Sequence, residues 1–298
     1  MTKLGSVTIG RVGVLIGQSL AATDLRVAGQ LIEELGYGAI WFGEGLGREA
    51  FTQASILLGA TRRIAVGTGI ANIFARDPVT MLNAARTLAE AWPDRFVLGM
   101  GVSHAKLVTA RGHAYTKPVS AMASYLDAME IAPAYTAVAP LSAPPIVLAG
   151  LGPRMLALAA ERTSGALMFF VDAAYTTRAR QIVGPDRFLG LISLVAARPT
   201  RPQARSIGDR HTRSHIEMPN YRRSLLRMGW TDQDLVDAGS DALFDAIVPW
   251  GEPERIAEKI DAQLSAGADH VALNVVSPTQ DRLAKKELAL IARQLLPR

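Results

Sequence analysis

Eight apolar runs, each followed by an amphipathic stretch, recur along this chain of 298 residues, and that alternation restricts its fold more than any single motif does. The runs fall near 11–17 (RVGVLIG), 38–44 (GAIWFGE), 64–70 (IAVGTGI), 95–102 (RFVLGMGV), 145–150 (PIVLAG), 165–171 (GALMFFV), 188–196 (FLGLISLVA) and 270–276 (HVALNVV). They are hydrophobic almost throughout, not at every second position, as strands covered on both faces must be. Eight such strands with helices between them predict a closed (β/α)₈ TIM barrel, with a doubly wound open sheet as the competing arrangement. A barrel of this length commonly forms one unit, so residues 1–298 read as a single domain.

The helices between the runs have legible ends. Thr23 or Asp24 is placed to cap a helix whose inward positions are Leu25, Ala28, Leu31, Ile32 and Leu35, with Gly36 closing it. Asp77-Pro78 pairs a capping carboxylate with a first-turn proline ahead of Leu82, Ala85, Leu88, Ala89 and Trp92. Pro93-Asp94 turns the chain into the fourth run, Gly267 ends the helix before the last run, and a final helix over about 280–295 would cover the barrel. Residues 198–250 break the rhythm and read as a helical excursion between strands seven and eight.

The absence of cysteine removes disulfides, thiolate metal sites and cysteine nucleophiles, and fits a reducing compartment. Residues 1–6 (MTKLGS) hold no apolar signal core, and no uninterrupted apolar run reaches the roughly 18 residues a membrane span needs, so the reading is a cytoplasmic protein with no membrane partner. The formal net charge of +5 is concentrated in one place. Eight arginines (198, 201, 205, 210, 213, 222, 223 and 227) face only Asp209 and Glu217 between 198 and 227, a local excess of +6. Such a cluster is either a solvated helix face or a docking surface for an anionic ligand. No interleaved aromatics, finger spacing or helix-turn-helix pattern points to nucleic acid.

In a barrel of this kind, reacting groups gather where strands end and βα loops begin. Those positions are Gly17-Gln18, Glu44, 69–72, 102–104, 150–152 and Asp172, a set rich in glycine. Glycine at 67 and 69 lets backbone approach a flat ligand, and the glycines of 148–155 (LAGLGPRM) precede a proline that opens a helix. A helix start of that kind directs free N–H groups outward and accepts phosphate. Together, at one end of the barrel, the two stretches suggest a phosphate-bearing cofactor across the mouth.

At these residues the sequence resembles the luciferase-like monooxygenase superfamily, whose type member is bacterial luciferase, and more narrowly the probable oxidoreductases that use the deazaflavin coenzyme F420. The matching segments are 34–41 (ELGYGAIW) with Glu44, 69–78 (GIANIFARDP), 95–104 (RFVLGMGVSH), 112–115 (GHAY), 148–155, 219–222 (PNYR), 239–241 (GSD) and 266–271 (AGADHV), in family order over nearly the whole chain. The resemblance implies a TIM barrel with a redox cofactor at the C-terminal mouth, F420 or alternatively FMN, and a homodimer. It implies a non-proline cis peptide at Gly69–Ile70 or the next bond. Backbone of Gly69, Ile70, Ala71, Asn72, Val102 and Ser103 would meet the ring or its chain. Gly150, Leu151, Gly152, Pro153 and Met155 would hold the phosphate.

His104 and Glu44 are the candidate catalytic groups. Some deazaflavin-dependent relatives have an Asp-His pair at the second strand end and a glutamate where His104 stands, so their proton-transfer roles do not carry across. An imidazole serves as acid or orienting donor near pH 7; a structural hydrogen bond at a strand end is the alternative for His104, and pairing with an arginine is the alternative for Glu44. His113 either lines a substrate pocket or fixes its loop, and His270, at a strand start, reads as structural. The five histidines show no metal-ligand spacing, and neither a GxSxG elbow nor a phosphate loop occurs. The leading expectation is hydride transfer between F420 and a small organic substrate. The alternatives are an FMN-dependent two-component monooxygenase and a flavin-binding protein without turnover.

Overall fold

A computed structural model of the chain describes residues 2–132, 139–277 and 283–296. A hairpin of β1 (Lys3–Leu4) and β2 (Val7–Thr8) precedes the barrel strands β3 (Val12–Leu15), β4 (Ala39–Phe42), β5 (Ala65–Thr68), β7 (Phe96–Gly101), β8 (Ile146–Ala149), β9 (Gly165–Phe169), β10 (Phe188–Val195) and β11 (His270–Val275). A two-residue strand, β6 (Ala71–Asn72), continues the line of β5. The order β5-β4-β3-β11-β10-β9-β8-β7, with β5 also paired to β7, closes a parallel ring of eight, each strand inside one of the eight apolar runs.

The barrel strands are connected by helices α1 (Ala22–Glu34), α2 (Ala50–Ala60), α3 (Pro78–Ala91), α4 (Ala105–Thr109), α5 (Pro118–Ile131), α6 (Pro153–Arg162), α7 (Ala173–Val183), α8 (Arg201–Ile216), α9 (Pro219–Met228), α10 (Asp241–Ile247) and α11 (Pro253–Ser265), and α12 (Lys285–Leu295) follows the last strand. Residues 280–282 of the final helix expected from sequence lie outside the described residues. Asp77 caps α3 as its spacing predicts, its carboxylate accepting from Thr80 N at 2.9 Å. For α1 the expectation fails. Ala21 is the N-cap and makes no side-chain cap bond, and the helix takes Thr23 and Asp24 into its first turn, where the Asp24 carboxylate complements the positive end of the dipole.

The helix-rich stretch between β10 and β11 packs on the mouth. Buried Tyr221, Leu225 and Phe244 form a second core with Phe170 and Leu194 of the barrel. No helix among the described residues is long and apolar enough to cross a membrane.

The third strand carries a defect that shapes the mouth. Gly67 pairs with Val97 and Ala71 with Met100, so a step of four residues faces a step of three. The extra residue is a β-bulge, and the peptide bond Gly69–Ile70 within it is cis, at the first of the two bonds expected. Glycine on the partner strand allows the close approach: a Cβ added at Gly99 would sit 1.9 Å from Thr68 O. Thr68 Oγ1 donates to Gly99 O at 2.7 Å and accepts from Gly99 N at 2.9 Å, which ties the bulge down.

Candidate functional site

The bulge forms the floor of a cleft of about 820 Å³ at the C-terminal end of the strands. That size lies within the range of small-molecule and cofactor sites. Gly69, Ile70, Val102, Ser103, Gly150, Leu151, Gly152, Pro153, Met155, His104 and Glu44 all line it, so rims after four different strands converge on one space. Ala71 and Asn72 do not line it. They are buried behind the bulge, where Asn72 N donates to Glu44 Oε2 at 2.8 Å.

Glu44 organises this wall. Its carboxylate is 2% exposed, takes both terminal nitrogens of Arg76, and also accepts from Ala50 N at 3.2 Å. Its own N–H donates to Ile70 O at 3.0 Å. One side chain therefore joins the end of β4, the start of α2 and the bulge. Its carboxylate oxygens are engaged by Arg76 and two backbone amides, which fixes the wall in place.

His104 stands at the opposite rim, in extended backbone at the start of α4. Its Nδ1 lies 3.2 Å from Asn220 Oδ1 at the first turn of α9. With the amide oxygen toward the ring, Nδ1–H is the donor and Nε2 keeps its lone pair. Burial holds the imidazole below its ordinary value, partly offset by the bond from Asn220, so the ring is neutral at pH 7. Tyr221 packs its ring 5.6 Å from that of His104, and burial pushes its phenol well up, so it stays an O–H.

His215 completes this wall, stacked on Phe170 at 5.1 Å and pushed down to about 4, chiefly by burial. Phe169 lines the cleft as well as packing against His215. His113 does not line the cleft; it is exposed, and its ring lies 5.7 Å from Phe74.

The third rim is the start of α6. Gly152 caps α6, Pro153 opens it, and a Cβ added at Gly152 would lie 3.7 Å from an Arg227 guanidinium nitrogen. Gly150 N–H is bound to Leu167 O at 3.2 Å and Met155 N–H to Gly152 O at 3.0 Å. The N–H groups of Leu151, Gly152 and Arg154 have no backbone acceptor among the described residues and remain for a ligand at this helix start. Tyr175 donates to Leu151 O, which is thereby engaged within the protein.

The arginine cluster divides in space. Arg198 pairs with Glu287, Arg201 with Asp245, Arg205 with Asp241, Arg213 with Asp237 and Arg222 with Asp232. Arg223 and Arg227, with Arg154 of α6, line the cleft instead and have no acidic partner among the described residues. The local excess in sequence is thus largely cancelled by acids downstream; Arg210 is exposed on α8, and Arg223 and Arg227 are left at the α6 end of the cleft. No group of histidine and acidic side chains among the described residues is arranged to hold a metal.

The model of the luciferase-like monooxygenase family matches residues 2–270, and the chain belongs to that family. Among curated proteins it is similar to a putative coenzyme F420-dependent oxidoreductase of Mycobacterium tuberculosis, 28% identical over 168 residues. That match covers 46% of this chain and 48% of the relative, about half the length of each. Among solved structures it superposes on an F420-dependent secondary alcohol dehydrogenase in complex with an F420-acetone adduct (TM-score 0.79, 13% identity, 96% and 98% of the two chains). It also superposes on the oxygenating constituent of 3,6-diketocamphane monooxygenase from Pseudomonas putida in complex with FMN (TM-score 0.66, 16% identity, 98% and 99%). At these identities the two superpositions establish the shared fold.

Proposed function

We propose that the protein is an oxidoreductase that binds the deazaflavin F420 in the cleft and exchanges a hydride with a small organic substrate. Family membership and both kinds of structural neighbour support a deazaflavin or flavin in this space. One observation favours the deazaflavin: the guanidiniums of Arg154, Arg223 and Arg227, without an acidic partner among the described residues, lie beside a helix start that would accept one phosphate. FMN ends at its phosphate. F420 continues from the phosphate into an anionic oligoglutamate tail, which gives surplus positive charge something to bind.

The residues present fit such a group. Glycine at 43, 69 and 152 leaves the walls bare, and a Cβ at Gly69 would crowd Ile192 Cδ1 at 3.3 Å. Bound there, a deazaflavin supplies hydride exchange at the carbon that replaces the reactive nitrogen of a flavin. The chain supplies position, dryness and a proton acceptor. The bulge at Gly69–Ile70 would back the ring plane, and Glu44 with Arg76 keeps the bulge in place. Phe169, Ile192 and Leu167 exclude water from the floor. His104 holds a proton site at Nε2, oriented through Nδ1 by Asn220.

Competitive titration of the purified protein with F420 and FMN tests this reading. F420 is expected to bind at least about tenfold more tightly, a difference of roughly 1.4 kcal/mol. Equal or tighter binding of FMN instead supports the flavin monooxygenase alternative. Binding with no turnover of any alcohol, ketone, enone or nitro compound supports a carrier.

A further inference from the structure

Across the cleft from the bulge stands a wall of packed rings. Round the closed barrel from β5, which leads into the bulge, β10 lies opposite and β9 beside it. Phe169 ends β9. His215, near the end of α8, and Tyr221, in the first turn of α9, pack on it with ring centroids at 4.8 and 5.9 Å. The rings of His215 and Tyr221 lie 5.0 Å apart, edge to face. All three residues line the cleft. A flat ring backed by the bulge would turn its free face toward this wall, and a molecule meeting that face would sit between the two.

Two polar atoms of the wall remain for such a molecule. His215 Nδ1–H donates to His211 O at 2.6 Å. A backbone carbonyl only accepts, so the proton sits on Nδ1 and Nε2 carries a lone pair. Burial pushes the ring down to about 4, so Nε2 stays an acceptor at neutral pH. This nitrogen has no hydrogen-bond partner among the described residues. Unlike Nε2 of His211, one turn earlier, it is not sealed in the interior, and the ring lines the cleft. The Tyr221 hydroxyl likewise has no partner among the described residues and is not sealed. Burial pushes its phenol well up, so it keeps a proton to donate. The wall therefore sets an atom that only accepts beside one that donates. A hydroxyl satisfies both, giving its proton to the imidazole and a lone pair to the phenol. An ether, carbonyl or nitro oxygen answers the phenol alone and leaves the imidazole lone pair desolvated, which costs affinity.

We propose that His215 and Tyr221 are specificity-determining residues, and that the substrate carries a hydroxyl that donates to His215 Nε2 and accepts from Tyr221 Oη. This hydroxyl is a handle, distinct from the group that reaches His104. The inference rests on the reading of the cleft as the seat of cofactor and substrate, and adds the substrate class.

Three ketones test it: 4-hydroxycyclohexanone, 4-methoxycyclohexanone and cyclohexanone, which offer at one position an O–H, an ether oxygen without a proton, or no oxygen. Their binding is followed by ligand-observed NMR on F420-loaded and cofactor-free protein, in wild type, His215→Phe and Tyr221→Phe. Both variants keep an aromatic ring in the wall. In wild type the hydroxyketone is expected to bind at least about fivefold more tightly than the methoxyketone. His215→Phe should cut that ratio below about twofold while the other two ketones stay within about twofold of wild type. Tyr221→Phe should weaken the hydroxy- and methoxyketones about threefold and spare cyclohexanone. A merely structural role would weaken all three together. Equal binding of the hydroxy- and methoxyketones in wild type overturns the inference whether or not the variants fold, as does no hydroxyketone binding or a ratio unchanged in His215→Phe. If His215→Phe weakens F420 while the ratio holds, the acceptor serves the cofactor and the inference falls. If F420 fails to bind wild type, the reading of the cleft falls, while the ratios in cofactor-free protein still judge His215.

Discussion

His270 and His104 stand at opposite ends of the barrel, and the contrast between them separates what the fold needs from what a reaction needs. At the bottom, His270 is fully buried: its Nδ1–H donates to Gly10 O at 2.9 Å, and its Nε2 accepts from Trp41 Nε1 at 2.9 Å. Both nitrogens are engaged and the tautomer is fixed. Burial pushes this ring down to about 4. At the mouth, His104 has one nitrogen held by Asn220 and the other on the side of an open cleft. The bottom is filled by Trp41 and Phe188 and covered by the hairpin of β1 and β2, whereas the mouth is edged by glycine. A histidine with two protein partners is a rivet. With one partner, it keeps a nitrogen for the proposed reaction.

The largest effect should come from the rivet. His270→Leu strands a buried indole N–H and the carbonyl of Gly10, and denaturant unfolding is expected to show a loss of about 2–5 kcal/mol. A loss under about 1 kcal/mol would make the bottom no more demanding than the mouth. Acid should act next. His270 and His215 both sit at about 4 in the folded chain, below the ordinary value near 6.5. Between those values the unfolded chain binds more protons. Stability is therefore complete above about pH 6.5 and is lost as the pH falls toward 4, by up to roughly 3 kcal/mol for each ring. His270→Leu, already weakened, should show a shallower acid slope than wild type; an unchanged slope would mean that other groups drive the acid loss.

At the mouth the expectation inverts. His104→Ala should lower turnover roughly 10²-fold while stability moves by less than about 1 kcal/mol. Full activity in that variant would remove His104 from the chemistry. Asn220→Ala should cost about tenfold in kcat. Its hydrogen bond favours the protonated ring, so its removal should also move the pH dependence assigned to His104 toward lower pH. An unmoved profile would leave Asn220 a packing residue. Smallest, Arg154→Glu combined with Arg223→Glu should weaken F420 about three- to fivefold and a tail-less deazaflavin much less. Arg222→Glu should discriminate little, because Arg222 already pairs with Asp232.

Much of this was legible in the sequence. All eight strands lie where continuous apolar runs place them, because strands buried on both faces leave no room for polar positions. Gly69, Val102-Ser103 and 150–155 converge because glycine, backbone approach and helix starts are local features. Partners distant in sequence were hidden. Asn220 reaches His104 across 116 positions, and Arg76 meets Glu44 across 32. The acids that cancel the arginine cluster begin at Asp232, beyond the window in which the excess was counted. Ala71 and Asn72, whose backbone was expected at the ring, lie outside the cleft lining. A one-residue bulge moves every following side chain to the other face of the strand, and no propensity signals on which side of the bulge a residue lies.

A crystal structure of the protein with bound F420 tests the converging rims most directly. The expected result is a ring against the Gly69–Ile70 bulge and within reach of His104, with the phosphate on the N–H groups of Leu151, Gly152 and Arg154 and the tail leading past Arg223. A phosphate seated away from the start of α6, or a ring that never meets the bulge, would contradict it.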